Sequence, residues 1–225
     1  DLKVTGIDLD CDEQWNLVIR AYNLLAEDYE LPRVHAHLMK RIPTGAGLGG
    51  GSSDGAYMIR LLDERFRLNI GIAEMERYAA RLGADCAFFI TAEPMYATGI
   101  GNILAPVDDS IGFLKGLYLA IVKPGISVST VEAYRQIKPK KPAKCCLDIV
   151  RQPIETWREE LTNDFEPPVF AAHPELGDIK EKLYDMGAIF AQMSGSGSAI
   201  YGIFKEAPEN IEDKFPGMFT AVMQL

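Results

Sequence analysis

The stretch from Arg41 to Asp54 reads R-I-P-T-G-A-G-L-G-G-G-S-S-D. Five of its residues are glycines, which allow positive φ and leave no Cβ between the main chain and a ligand. Directly after it, Ala56, Ile59 and Leu62 recur at helical spacing. A glycine-rich loop that leads into a helix presents bare N–H groups and the positive end of the helix dipole to an anion. The stretch therefore predicts a loop that binds the phosphates of a nucleotide.

Other kinds of glycine-rich loop fit this stretch less well. It is not a Walker A loop, because no Lys follows the last glycine. Gly45, Gly47 and Gly50 match the dinucleotide-binding spacing, but the strand and acidic residue that this fold places about 20 residues later do not follow. A flexible linker is disfavoured because Ile42 and Leu48 interrupt the glycines and a helical pattern follows at once.

The composition is that of an acidic globular chain: 225 residues, 48% of them hydrophobic, with a formal net charge of −9. One large domain or two small ones fit this length. The charge argues against nucleic acid as a partner, because binding a phosphate backbone needs clustered Lys and Arg. Four cysteines without a C-x-x-C or disulfide-scaffold spacing suit a reducing cytoplasm. Without an apolar run of about 18 residues we expect no membrane association, and a monomer and a homodimer are both open.

Hydrophobic periodicity divides the chain into two lobes of mixed α and β structure. The elements predicted in the first lobe are a strand over 2–9, a helix over 15–26 capped by Asp12, a strand over 34–38, and helices over 53–66 and 75–82, the last of them ended by Gly83. Those predicted in the second are a strand over 117–122, a helix over 175–186 and a strand over 199–204. The pattern weakens between 106 and 116, so the predicted domains are 1–112 and 113–225.

The segment from Pro43 to Asp54 resembles the phosphate-binding motif of the GHMP kinases, a family that includes galactokinase, homoserine kinase and mevalonate kinase. Further segments that resemble this family cover nearly the whole chain; they are Asn16-Leu17-Val18, Gly83-Ala84-Asp85, Ala97-Thr98-Gly99-Ile100-Gly101, Lys123-Pro124, Val128-Ser129-Thr130, Asn163-Asp164-Phe165-Glu166 and Met193 to Ser198. The resemblance implies an α+β fold, with an N-terminal domain that carries the nucleotide loop and a ferredoxin-like C-terminal domain. Gly55 departs from the family, which usually has Ala there, and this lowers helix propensity by roughly 1 kcal/mol.

The resemblance also implies ATP and Mg²⁺ as cofactors and a set of binding residues. Those implied for ATP are Pro43, Thr44, Gly45, Ala46, Gly47, Leu48, Gly49, Gly50, Gly51, Ser52 and Ser53, and those implied for the substrate are Thr130, Tyr134, Ser194, Gly195, Ser196 and Gly197. The residues themselves favour phosphate binding by the amides of 45–51, whereas Ser52 and Ser53 either contact a phosphate or Mg²⁺ or only cap the helix. Asn16 is a candidate to contact the adenine, and beyond these two serines the ligands of Mg²⁺ are left open.

Three further positions have two interpretations each. Asp85 follows Gly83-Ala84 and is compatible with an ordinary turn as well as with catalysis; the resemblance assigns it the acid–base role. The family holds a cytosine between aromatic rings, and Tyr134 matches one of those positions, with packing into the core as the alternative. His35 and His37 indicate a strand surface more than a metal site, because no third ligand lies near them in sequence.

Within the family, the triple glycine before two serines is most similar to the kinases that act on 4-diphosphocytidyl-2-C-methyl-D-erythritol. This implies ATP-dependent phosphorylation of the 2-hydroxyl of that cytidine diphosphate-linked polyol, a step of non-mevalonate isoprenoid precursor synthesis. A kinase for homoserine or mevalonate, or a non-catalytic binding module of the same fold, are the alternatives. The family's opening strand with its catalytic Lys has no match in this chain. We therefore expect these residues to be part of a longer protein and to have no useful turnover alone.

Overall fold

The computed structural model describes residues 1–9, 12–138 and 140–225 of the chain. They form two compact units, one of residues 1–44 and 49–107 and the other of residues 45–48 and 108–225. The glycine-rich stretch therefore contributes four residues to the second unit and its flanks to the first. Both units mix helices and strands, and the predicted α+β fold is confirmed.

The first unit packs helices against a short parallel sheet. Its strands are β1 (Leu2–Gly6), β2 (Ala36–Lys40), β3 (Met95–Thr98) and β4 (Ile103–Pro106), and its α-helices are α1 (Leu17–Ala26), α2 (Gly50–Phe66), α3 (Ile72–Leu82) and α4 (Phe88–Thr91). β1 and β2 are parallel, whereas β3 and β4 form an antiparallel pair. The core of the unit lies among the first three helices, where Leu25, Ile59 and Ala79 are fully buried. These are the apolar faces that the helical spacing predicts.

Helix α1 begins later than predicted, and a different residue caps it. The predicted cap, Asp12, precedes a short 3₁₀ helix at Glu13–Trp15 and makes no side-chain capping bond. Asn16 caps α1 instead, since its side-chain oxygen accepts a 3.0 Å hydrogen bond from Val18 N–H. Both residue types are good N-caps, so the sequence pattern alone does not choose between them.

Gly55 lies where α1 and α2 approach each other closely. A Cβ on Gly55 would stand 3.0 Å from Leu17 Cβ and 3.4 Å from the Leu17 carbonyl oxygen. Glycine lowers the helix propensity at this position, but it lets the two helices come closer together than a side chain would permit. Gly83 ends α3 as predicted, with its N–H donating to the Ala79 carbonyl oxygen.

The second unit is built on a four-stranded antiparallel sheet. Its strands are β5 (Tyr118–Lys123), β6 (Phe190–Met193), β7 (Ile200–Phe204) and β8 (Phe219–Gln224), in the spatial order β6-β7-β5-β8. Its α-helices are α5 (Thr130–Gln136), α6 (Cys146–Val150), α7 (Trp157–Glu160), α8 (Glu166–Ala172), α9 (Pro174–Asp185) and α10 (Ile211–Lys214). Short 3₁₀ helices lie at Asp109–Leu114 and Ile154–Thr156. Numbered within the unit, the strand order is 2-3-1-4, that of a ferredoxin-like sheet.

Alternate residues of this sheet belong to two different cores. Ala191 and Met193 of β6 are buried with residues of α8 and α9, whereas Phe190 is buried with Ile149 of α6 and Trp157 of α7. Because successive side chains of a strand point to opposite faces, helices cover both faces of the sheet. Because helices cover both faces, a ligand site in this unit is expected at the strand ends and in the loops between them.

Candidate functional site

The glycine-rich loop has the backbone conformation that its sequence predicts. Gly45, Gly47 and Gly49 all have positive φ, between 60° and 71°. Pro43 is half-buried and Thr44 exposed at the start of the loop, and Ala46 is its buried side chain. Alternating positive φ turns successive N–H groups of a loop toward one side, an arrangement that binds anions.

The part of the loop that belongs to the second unit, Gly45–Leu48, packs against the second Ser/Gly loop. Ser194 Oγ donates a 2.8 Å hydrogen bond to the Gly47 carbonyl oxygen, and Ala199 N–H donates at 3.0 Å to that of Ala46. A Cβ on Gly47 would collide with the Ser194 carbonyl oxygen. The two loops that sequence reasoning singled out separately are therefore in direct contact.

The part of the loop in the first unit forms the N-terminus of α2. The helix begins at Gly50, three residues before its predicted start, and Gly49 occupies the N-cap position. Ser53 N–H makes the first helical bond, 2.8 Å to the Gly49 carbonyl oxygen. The N–H groups of Gly50, Gly51 and Ser52 therefore project from the helix end, where intrahelical acceptors end. This end also carries the positive pole of the helix dipole.

Ser52 and Ser53 lie within the first turn of α2, so neither is its N-cap. The Ser52 side chain lies close to the buried thiol of Cys86. Burial raises the pKa of that thiol, the nearby Ser52 hydroxyl opposes the rise, and the neighbouring Asp85 carboxylate adds to it. The alternative that one of these serines is the N-cap is therefore wrong, and their contact with a phosphate or Mg²⁺ stays a prediction.

Asp85 lies in the turn between α3 and α4, where its side chain is exposed. One of its carboxylate oxygens stands 3.7 Å from the place a Cβ would take on Gly101, in the turn between β3 and β4. Gly101 has φ of 96°, so this turn presents bare backbone to the carboxylate. Within the first unit, Cys86, the next residue along the chain, lies close to Ser52 in the first turn of α2.

Lys40 is a charged residue that sequence reasoning did not single out. It ends β2, directly before the glycine-rich stretch, and its side chain is only 1% exposed. Its ammonium pairs with the carboxylate of Asp54, in the second turn of α2. A Lys before the loop has no local signal of burial, because lysines are mostly exposed in proteins.

The predicted substrate residues lie together in the second unit. Thr130 Oγ1 and Ser196 Oγ are 3.3 Å apart and share a hydrogen bond. Tyr134 is 60% exposed, so the alternative that it packs into the core is wrong. Its ring makes a T-shaped contact with the ring of Phe165, with centroids 4.9 Å apart and planes at 78°, so that the edge of one ring meets the face of the other. The exposed part of the Tyr134 ring is accessible to a planar ligand.

Asn163 holds the second loop in place, a role that sequence reasoning did not assign. Its Nδ2 donates to the carbonyl oxygens of Met193 and Gly195, both at 2.8 Å, and its Oδ1 accepts from Phe165 N–H at 2.9 Å. Next to it, Glu166 accepts a hydrogen bond from Met193 N–H. The carboxamide therefore joins the loop to the segment that supports Tyr134. Its motif is visible in the sequence, but its partners are about 30 residues away.

His35 and His37 each contact a polar side chain of the first unit. His35 Nδ1 lies 2.9 Å from the Asp1 carboxylate, and His37 Nε2 lies 2.8 Å from Thr5 Oγ1. Within residues 1–9, 12–138 and 140–225, no group of three His, Cys, Asp or Glu could hold a metal ion. In that same part of the chain no helix has the length and apolar content needed to cross a bilayer.

Known proteins match the chain along most of its length. The family model for the GHMP kinases N terminal domain matches residues 16–93, and that for the GHMP kinases C terminal matches residues 147–221. A 4-diphosphocytidyl-2-C-methyl-D-erythritol kinase of Bacteroides fragilis is 46% identical over 218 residues, which are 97% of this chain and 78% of the relative. One of Bacteroides thetaiotaomicron is 48% identical over 200 residues, 89% of this chain and 72% of the relative.

A solved structure has the same fold. The crystal structure of a 4-(cytidine 5'-diphospho)-2C-methyl-D-erythritol kinase aligns with a TM-score of 0.80 and 27% sequence identity. The alignment covers 100% of this chain and 82% of that one. The fold of this chain is therefore similar to that of the solved kinase.

Proposed function

Because this chain belongs to the GHMP kinase family, we propose that it transfers the γ-phosphoryl group of ATP to the 2-hydroxyl of 4-diphosphocytidyl-2-C-methyl-D-erythritol, in non-mevalonate isoprenoid precursor synthesis. The observation that carries the proposal is the 46% and 48% identity to two relatives named for this activity, over at least 89% of the chain. We assign the nucleotide-loop domain to 1–112 and the C-terminal domain to 113–225.

In this proposal the phosphates of ATP bind at the N-terminus of α2. The N–H groups of Gly50, Gly51 and Ser52 supply donors there, and the 17-residue helix supplies a dipole. Mg²⁺ bound with ATP supplies further charge neutralisation for the transferred group, and no residue of this chain is assigned to it. The loop glycines support phosphate binding in two ways. Their positive φ turns N–H groups toward the ligand, and they carry no side chain that would keep the ligand away.

Asp85 takes the acid–base role. Its exposed carboxylate is free to meet a hydroxyl of the acceptor, either orienting it or accepting its proton as the oxygen attacks phosphorus. The bare backbone at Gly101 leaves room beside the carboxylate for a substrate group. Positioning and electrostatic stabilisation account for most of phosphoryl-transfer catalysis, so one carboxylate suffices for the proton.

Tyr134 takes the cytosine of the acceptor on its exposed face. Stacking of a base on an aromatic ring contributes roughly 1–3 kcal/mol, and the T-shaped contact with Phe165 supports the ring from the protein side. Thr130 and Ser196 offer hydroxyls close by for the polar groups of the substrate. A cytidine diphosphate-linked polyol therefore fits the chemistry of this part of the second unit.

The test is ATP consumption by the full-length encoded protein with 4-diphosphocytidyl-2-C-methyl-D-erythritol as acceptor, measured beside Asp85→Asn and, as a matched control, Asp178→Asn at an exposed position of α9. We expect turnover by the wild type and the control and its loss in Asp85→Asn. Turnover that survives in Asp85→Asn would remove the acid–base role and keep the kinase.

Substrate identity needs a second comparison. Homoserine and mevalonate should be poor acceptors, and Tyr134→Leu should raise KM for the cytidyl acceptor while leaving KM for ATP unchanged. Equal use of all three acceptors would favour another kinase of the family. ATP binding without turnover on any acceptor would favour a non-catalytic module.

A further inference from the structure

Lys40 carries a buried charge that the proposed reaction does not use. Its side chain is 1% exposed, and its ammonium pairs with Asp54, whose side chain is 19% exposed. Removing an ammonium from water is costly even when a carboxylate partner offsets part of the loss. An apolar residue at the end of β2 would avoid this desolvation cost, which suggests that the charge of Lys40 has a function.

The backbone of Lys40 is fixed by the end of β1. Ile7 N–H donates a 2.9 Å hydrogen bond to the Lys40 carbonyl oxygen. Gly6, with φ of 89°, packs against the same oxygen so closely that a Cβ there would collide with it. The side chain therefore starts from a defined point directly before the glycine-rich loop.

The ammonium of Lys40 lies beside the first residue of α2. The place that a Cβ on Gly50 would take is 3.2 Å from Lys40 Nζ. The positive pole of a helix dipole repels a cation at this end. Asp54, carried by the second turn of the same helix, offsets that repulsion through its carboxylate.

The pair leaves hydrogen-bonding capacity at the helix end. An ammonium has three N–H donors, and in the part of the chain that the structure describes its hydrogen bond goes to Asp54 Oδ2. A cation that is only 1% exposed and has remaining donors lies next to N–H groups without an intrahelical acceptor. It raises the positive potential where an anion would bind.

We propose that Lys40 is a positioning residue for the nucleotide phosphates: held by Asp54, it fixes the first turn of α2 and adds positive charge behind the N–H groups of Gly50, Gly51 and Ser52. The inference rests on the proposed function, since the anion is taken to be the phosphate chain of ATP. The role is one of positioning because the Lys40 side chain is buried and paired with Asp54.

The test separates charge from structure by replacing both partners. Lys40→Met/Asp54→Leu exchanges the pair for apolar side chains, a change that is often neutral for stability. ATP and adenosine affinities are measured by calorimetry, and stability by urea unfolding. The matched control is Lys144→Met/Glu160→Leu, which removes a more exposed 2.6 Å pair of the second unit.

We expect the double variant to unfold at nearly the wild-type urea concentration, to bind adenosine as the wild type does, and to bind ATP about tenfold more weakly. In the full-length encoded protein, KM for ATP should rise while kcat changes little. The control should bind ATP as the wild type does. If the double variant does not fold, Lys40→Met alone replaces it, since Asp54 keeps contact with solvent, and Lys40→Arg should restore ATP affinity.

Wild-type affinity for ATP in the folded double variant, or an equal loss of ATP and adenosine binding, would overturn the inference. So would a wild-type protein that binds no ATP. Its failure is distinguishable from that of the proposed function: ATP affinity that depends on Lys40, without turnover on the cytidyl acceptor, would remove the substrate and keep the positioning role.

Discussion

The Ser194 hydroxyl donates a 2.8 Å hydrogen bond to the carbonyl oxygen of Gly47, 147 positions earlier in the chain. Ala199 N–H adds a second bond, to the carbonyl oxygen of Ala46. Backbone groups of the first glycine loop thus have protein partners, which limits the shapes the loop can adopt. A loop fixed in advance loses less conformational entropy when a ligand binds.

Gly47→Ala should destabilise the protein by more than about 2 kcal/mol. The residue has φ of 71°, where an L-side chain costs about 1–2 kcal/mol, and its Cβ would collide with the Ser194 carbonyl oxygen. Urea unfolding measures the change. Gly51→Ala is the control. No atom of a neighbouring segment lies within 4 Å of the new Cβ, and the substitution should stabilise the protein by about 0.5–1 kcal/mol through higher helix propensity. Equal effects of the two substitutions would contradict the packing of the loops.

Asn163→Ala should cost about 2 kcal/mol, because the carbonyl oxygens of Met193 and Gly195 each lose a donor and each such hydrogen bond contributes about 1 kcal/mol. Amide hydrogen exchange in the second loop should accelerate as well. Exposed Asp164→Ala, one residue away, should leave both quantities unchanged. Unaltered exchange in Asn163→Ala would show that other contacts fix the loop.

Gly55→Ala should lower stability by about 1 kcal/mol, although alanine has the higher helix propensity. The gain of about 1 kcal/mol in propensity is smaller than the 1–3 kcal/mol typical of overpacking, and the new Cβ would stand 3.0 Å from Leu17 Cβ. Thermal unfolding of Gly55→Ala and of Gly55→Ala/Leu17→Ala measures this balance. A stabilised single variant would mean that α1 and α2 separate at little cost.

Cys86 should resist alkylation by iodoacetamide at pH 8 while Cys146 reacts, because Cys86 is buried and Cys146 exposed. Burial raises the pKa of both thiols, and the thiolate is the reactive form, so the difference in rate comes from the inaccessibility of Cys86. Since the folded-state pKa is above the unfolded value, this thiol's contribution to stability is complete below about pH 8.5 and is lost as the pH rises through the folded-state pKa. Peptide mapping by mass spectrometry gives the two rates, with alkylation in urea as the control. Equal rates in the folded protein would refute the burial.

The sequence predicts elements whose signal is local. The apolar spacing of Ile59 and Leu62 identifies α2 because one face of the helix is buried. Its first turn has no such signal: Gly50 and Gly51 have low helix propensity, so the predicted start falls three residues late. The parallel pairing of β1 with β2 has no local signal at all, since its partners are about 34 residues apart.

The candidate site divides in the same way. Glycine patterning predicts the positive φ of Gly45 and Gly47, because few other residues adopt it. The contact of Gly47 with Ser194 and the clamp made by Asn163 depend on the fold of the second unit, which brings distant segments together. The burial of Lys40 likewise depends on contacts with Gly6, Gly50 and Asp54, which are not its neighbours in sequence.

The contact between the two loops also bears on how these sequences evolve. Gly47 has no room for a side chain beside Ser194, and a Cβ on Gly195 would come within 3.3 Å of the Gly47 carbonyl oxygen. A substitution in either segment therefore removes the space that the other requires. Residues 45–48 and 194–197 constitute a single bipartite motif, and we expect its halves to covary among homologues and to tolerate change in directed evolution only when they are randomised together.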